Sequence, residues 1–349
     1  MTSQDLHSVV SIGGGTGLSC LLKGMKHRVS DPPIIEPPAR KPWITRLTAV
    51  VTVTDDGGSS GRLREELQVL PPGDIRNCMV ALSTDESLLS HLFQYRFAGT
   101  GQLHGHSFGN LFLSALTGVT GDFLEAIRVS SDVLAIKGKI YPATLQDVRL
   151  KAVLEDGSRL FGESLISRSR ARITSLSLSP PDCKPVPAVL QAIRKADLIT
   201  LGPGSLFTSL LPNLLVPGIA RALRRSPAMK IFICNLMSQP GETIGFSAAD
   251  HVAAIYNHTG GKLFDWIILN DQPISPTVLA RYRRQGSAPV ATDRERITAL
   301  GLRIFEKPLL ARGRAVRHDP DRLAEAVYQA YCCWKRARAS TQEEVSAKA

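Results

Sequence analysis

The 349-residue chain contains no C-x-x-C pair. Its six cysteines, Cys20, Cys78, Cys183, Cys234, Cys332 and Cys333, are scattered or adjacent, which excludes a zinc ribbon or a disulfide framework and suits thiols kept reduced. No stretch approaches the roughly 18 apolar residues that a membrane span needs. The opening MTSQDLHSVVSIGGG lacks a basic segment followed by an apolar one, so the expectation is a cytoplasmic protein with no membrane span. Aromatic residues make up only 6%, and no recognised nucleic-acid motif accompanies the positive charge. H-E-x-x-H, kinase and deaminase signatures are also missing, and nothing supports nucleophilic catalysis.

What remains is an ordinary globular composition, 43% hydrophobic and 21% charged, with an uneven net charge of +11. Arg281 to Arg338 carries 14 Lys/Arg against 6 Asp/Glu. Such a segment suits a solvated helical face, a nucleic acid, an anionic membrane surface or a small anionic ligand. Short apolar runs recur along the chain and end in glycine-rich or acidic turns: Ser8–Ile12, Leu47–Thr54, Leu198–Leu201, Lys230–Leu236 and Asp265–Leu269. Near-continuous Val/Ile/Leu runs fit strands buried on both faces of a parallel sheet. Helical patterns alternate with them at Leu18–Lys26, Pro187–Lys195, Val216–Arg225, Ala248–Asn257, Pro276–Gln285 and Pro320–Arg338. The alternation predicts one Rossmann-like, doubly wound, mostly parallel α/β domain over residues 1–339. Residues 30–42, with five prolines, read as an exposed loop. Residues 150–180 read as a small β-hairpin excursion turning at Asp156-Gly157, and residues 340–349 as a flexible tail.

The first strand opens into Gly13-Gly14-Gly15-Thr16-Gly17 and then a helix, a geometry that aims free backbone N–H groups at an anion. The spacing is neither G-x-G-x-x-G nor a P-loop, so a standard dinucleotide or P-loop site is disfavoured. Asp55 and Asp56 close the second strand and are placed to hold a ribose hydroxyl or a phosphate-bridging Mg²⁺. Pro71–Asn77 leads into another helix, where Asp74 is either a cap or a ligand contact, with Asn77 beside it. His104 and His106 lack a third metal ligand, and Gly109-Asn110 opens a further helix as a cap or a ligand-facing N-terminus. Gly202-Pro203-Gly204-Ser205 repeats the anion-cradle logic after a second strand. Two cradles imply a phosphate-bearing ligand between two strand ends.

The motifs IGGGTG, VTVTDDGGSSGRLR, PPGDIRN, HSFGNLFL and GPGSLFTSLLPNLL, in this order, resemble the gluconeogenesis factor family (YvcK-like) of the CofD-like superfamily, over about Val9 to Ala330. The resemblance implies a Rossmann-like homodimer with a nucleotide-sugar site of the UDP-N-acetylglucosamine type. It also implies a role in growth and cell shape on gluconeogenic carbon sources, in concert with cell-wall synthesis proteins. A sister branch, 2-phospho-L-lactate transferase, transfers its group from a guanosine-diphosphate donor with Mg²⁺, which makes a transferase the alternative activity. By resemblance, Gly14, Gly15, Thr16 and Gly17 with Gly202, Gly204 and Ser205 would surround the diphosphate. Asp55 and Asp56 match the acidic motif near the metal, and Tyr282 and Arg317 match positions associated with the nucleotide sugar. A basic C-terminal segment then serves a nucleotide rather than a nucleic acid.

Overall fold

The computed structural model describes residues 7–30, 42–84 and 88–346, with side chains described as far as residue 340. The proline-rich loop expected at 30–42 therefore lies outside the described residues apart from Ser30 and Pro42.

The strands are β1 His7–Gly13, β2 Ile44–Val51, β3 Lys139–Pro142, β4 Arg149–Leu154, β5 Arg159–Phe161, β6 Ile173–Ser179, β7 Leu198–Leu201, β8 Met229–Ile233, β9 Trp266–Asn270 and β10 Arg303–Lys307. Seven of them form one sheet in the order β10-β9-β8-β7-β1-β2-β3, and every pairing in it is parallel. Alternate residues of each central strand feed two separate cores. Val10, Ile12, Val50 and Leu201 enter one, while Val9, Ala49, Val51 and Leu198 enter the other. This double burial is why the central strands read as unbroken apolar runs.

One core is covered by helix α1 (Gly15–Met25), helix α3 (Gly73–Leu82) and the long C-terminal helix Pro320–Ser346, through Leu18, Leu22, Ile75, Met79, Leu323 and Val327. Between α1 and α3 lies α2 (Gly58–Leu67), and α4 (Leu88–Gln94) and α5 (Phe108–Thr120) follow. The opposite core is closed by helices Pro187–Lys195, Ile219–Arg225 and Ala248–Thr259 and by a small antiparallel sheet ordered β5-β4-β6. That small sheet occupies the excursion expected at 150–180, turning at Gly157 with φ +82°. Among the described residues no single helix is long and apolar enough to cross a membrane.

Strand order decides where a ligand sits. From β1 the chain builds β2 and β3 on one side, then returns to place β7 through β10 on the other. The carboxyl ends of β1 and β7 therefore flank the switch point, where doubly wound sheets leave a crevice.

Candidate functional site

The crevice is a cleft of about 1280 Å³. On one side β1 runs into the Gly14–Gly17 turn and α1. Gly14 caps α1 in an extended conformation with no side-chain hydrogen bond of its own; the Asp74 carboxyl takes the Gly15 N–H, and the Thr16 and Gly17 N–H groups of the first turn remain for an outside partner. On the other side β7 runs into Pro203-Gly204-Ser205. The two turns are interlocked: a Cβ on Gly17 would stand 2.3 Å from the Pro203 carbonyl oxygen. Only glycine lets the first turn of α1 rest on the second cradle.

Side chains distant in sequence fix this arrangement. Asn235 accepts from the Gly204 N–H at 3.2 Å and donates to the Gly204 carbonyl at 2.8 Å, holding the peptide groups on both sides of that residue. Asn213 donates to the Gly13 carbonyl at 3.0 Å and the Ser209 carbonyl at 2.8 Å. Gln239 donates to Ser205 Oγ at 2.7 Å. Buried Glu242 accepts from the Phe207 N–H and the Thr208 hydroxyl, both at 2.9 Å, and burial pushes its carboxyl above the usual range.

Acids gather where the cleft meets β2. Asp55 lines it, with one oxygen accepting from the Gly57 N–H at 2.9 Å. Asp74 lies in the first turn of α3, since that helix begins at Gly73. Its carboxyl accepts from the Gly15 N–H, and burial followed by the Asp55 charge pushes it up to about 7. Glu163, 89 residues further on, hydrogen-bonds Asp55; burial and then the Asp55 charge hold its carboxyl well above the usual range.

Asp56 turns away from Asp55. Its two oxygens accept from the Glu163 N–H at 2.9 Å and the Ser164 N–H at 2.8 Å, capping the helix Glu163–Arg168. The pair expected to hold Mg²⁺ thus does not converge on one point. Among the described residues no three His, Cys, Asp or Glu side chains are placed to hold a metal ion. The residues do not fit a resident Mg²⁺ on Asp55 and Asp56.

Of the other residues expected in the site, Thr16, Asn77, Gly204, Ser205 and Arg317 line the cleft with Gly14, Gly15 and Gly17. Gly202 lies just behind it with φ +87°, where the chain turns out of β7. Gly109, Asn110 and Tyr282 are not among the lining residues. Asn110 is buried and donates to Ser59 Oγ at 3.1 Å, while Ser107 is the residue that caps α5. The Tyr282 hydroxyl accepts from the Val316 N–H at 3.0 Å, so it braces the segment that carries Arg317.

Sequence reading passed over Gly57–Gly61, which has G-x-S-x-G spacing. Ser59 there sits 3.0 Å from His106 Nδ1 but is only 5% exposed and lies outside the lining of the cleft. In the cleft wall, burial raises the Cys20 thiol to about 11 and lowers the His318 imidazole to about 4. Near neutral pH these two groups are therefore a protonated thiol and a neutral imidazole.

The sequence model of the family described as 2-phospho-L-lactate transferase CofD matches residues 9–310. A gluconeogenesis factor of Halalkalibacterium halodurans is 46% identical over 323 residues, 92% of this chain and 96% of that protein. A gluconeogenesis factor of Bacillus subtilis is 45% identical over 317 residues, 90% and 95% of the two chains. A crystal structure of a Bacillus halodurans protein superposes with a TM-score of 0.86 at 45% identity, covering 93% of this chain and 99% of that one.

Proposed function

The chain belongs to the CofD family and groups there with the gluconeogenesis factors, and on that premise we propose that its cleft binds a nucleotide sugar of the UDP-N-acetylglucosamine type as a regulatory ligand. One observation carries this reading: two glycine turns interlock at the sheet's switch point, where the first turn of α1 offers N–H groups beyond the one that Asp74 takes. Backbone N–H groups and a helix dipole so placed favour a diphosphate. Arg317, which lines the cleft on the Tyr282-braced segment, would add charge-assisted hydrogen bonds.

A binding role also suits a cleft whose Cys20 thiol and His318 imidazole are held uncharged and where, among the described residues, no three side chains are placed to hold a metal ion. On this reading a homodimer in the cytoplasm senses the nucleotide sugar and adjusts cell-wall synthesis proteins, which supports cell shape on gluconeogenic carbon sources. Equilibrium titration tests it. UDP-N-acetylglucosamine is expected to bind saturably, and Arg317→Ala to weaken binding about tenfold or more. Binding that ignores Arg317→Ala defeats the site assignment. Guanosine-selective binding that requires Mg²⁺ would instead support the alternative, a transferase acting on a nucleoside-diphosphate donor.

A further inference from the structure

The cleft continues past the glycine turns to an end built from α3 and α4. Asn77, Ser90, His91 and Gln94 line this end together with Arg76 and Arg96. Arg76 is only 6% exposed. Its Nε is buried without a partner, and no described residue accepts a hydrogen bond from its guanidinium or forms an ion pair with it. Burial, and then the charge of Arg96, lower it from 12.5 to about 10. Asp55 and Asp74 attract it from further off, but their oxygens are engaged with the Gly57 and Gly15 N–H groups and with Glu163.

An uncompensated buried cation is costly, and the fold keeps a place for this one. A Cβ on Gly109 would lie 2.7 Å from the Phe93 carbonyl oxygen, 2.8 Å from Arg76 Cγ and 2.9 Å from its Cδ, so the first turn of α5 is glycine where it meets both the α4 backbone and the arginine stem. Arg96 is exposed at the rim, held by a 2.9 Å hydrogen bond from its Nη1 to the Gly105 carbonyl. Two guanidiniums that repel each other are thus fixed at one end of the cleft. The opening of about 1280 Å³ exceeds the roughly 300–1,000 Å³ that ligand pockets usually offer.

We propose that this end is a second anion subsite, separate from the diphosphate cradle, in which Arg76 with Arg96 at its rim grips one oxyanion, a phosphate or a carboxylate. The proposal rests on the cleft being the ligand site and not on which nucleotide occupies the cradle. A planar guanidinium with free donors matches the paired oxygens of either group.

The test titrates inorganic phosphate, and separately acetate, into the full chain saturated with UDP-N-acetylglucosamine. Wild type, Arg76→Gln and Arg76→Lys are compared, and thermal unfolding is recorded for each. Wild type is expected to bind one of the anions while loaded, and the anion that binds names the source. Arg76→Gln should weaken that binding at least tenfold, with partial recovery in Arg76→Lys. Arg76→Gln should also unfold no lower than wild type, because it removes a buried unpaired charge; a merely structural arginine would lower the transition.

The proposal is overturned if neither anion binds the loaded protein, if the nucleotide sugar displaces the anion, or if Arg76→Gln binds like wild type or unfolds markedly lower. If UDP-N-acetylglucosamine itself fails to bind, the nucleotide reading falls alone. The same comparison on the unloaded chain then decides: a tenfold loss in Arg76→Gln supports the subsite, and no loss overturns it.

Discussion

Single side chains set the character of the cleft. Gly17→Ala places a methyl 2.3 Å from the Pro203 carbonyl, and backbone must move to accommodate it. The expected cost is about 1–3 kcal/mol of stability, with ligand binding lost more than tenfold, read by thermal unfolding and titration. Asp74 gives the site its pH dependence. Its carboxyl ionises at about 7 in the folded chain against an ordinary 3.8, so between those values the folded state holds a proton that the unfolded chain has released. The Asp74 contribution to stability therefore falls as pH rises through that window and levels off above it, while the raised Glu163 carboxyl extends the fall to higher pH. Asp74→Asn should match wild type near pH 4 and unfold at a higher temperature than wild type at pH 8. A lower transition at pH 8 would show that the carboxylate stabilises the fold. For the same reason an anion in the neighbouring cradle should bind more tightly at pH 6 than at pH 8. Acid–base titration of binding by calorimetry checks this.

At the level of elements, the interior of the sheet was legible and its margins were not. β1, β2, β7, β8 and β9 show up as apolar runs because both of their faces are buried. The strands that sequence reading missed, β3 and β10, are the two edges, one ending in Pro142 and the other reading Arg-Ile-Phe-Glu-Lys with every residue at least partly exposed. Edges tolerate proline and charge, which erases the pattern. The site divides in the same way. Both glycine turns were readable because glycines cluster directly after apolar runs; Gly15 and Gly202 are needed for positive φ, whereas Gly17 is needed only for the approach of the distant Pro203 carbonyl. Arg76, Glu163, Asn235 and Gln239 were not, since each acquires its role only when elements far apart in the chain converge. The DDGG motif was legible only in part: Asp55 lines the cleft, while Asp56 serves a helix more than a hundred residues away. Two substitutions examine these supports. Asn235→Ala frees the Gly204 N–H and carbonyl and should cost about 1–3 kcal/mol, with weaker ligand binding. Tyr282→Phe removes only the hydrogen bond to the Val316 N–H, so binding should weaken a few-fold while the unfolding temperature barely moves. Unchanged binding in Tyr282→Phe would separate that brace from the site.

Across the whole molecule, a doubly wound sheet with reversed strand order creates one crevice, and the chain directs two glycine turns, three carboxylates and several cations into it. A ligand spanning β1 and β7 touches both halves of the sheet, so it should raise the unfolding temperature of the entire chain by mass action. Of the 14 Lys/Arg in the basic C-terminal segment, only Arg317 lines the cleft, so the rest of that charge lies outside the site. The most direct measurement is isothermal titration of the full chain with UDP-N-acetylglucosamine, UDP-glucose, GDP and GTP, each with and without Mg²⁺. Saturable uridine-selective binding, indifferent to Mg²⁺ and weakened by Arg317→Ala, is the expected result. Guanosine-selective binding that appears only with Mg²⁺ would contradict it.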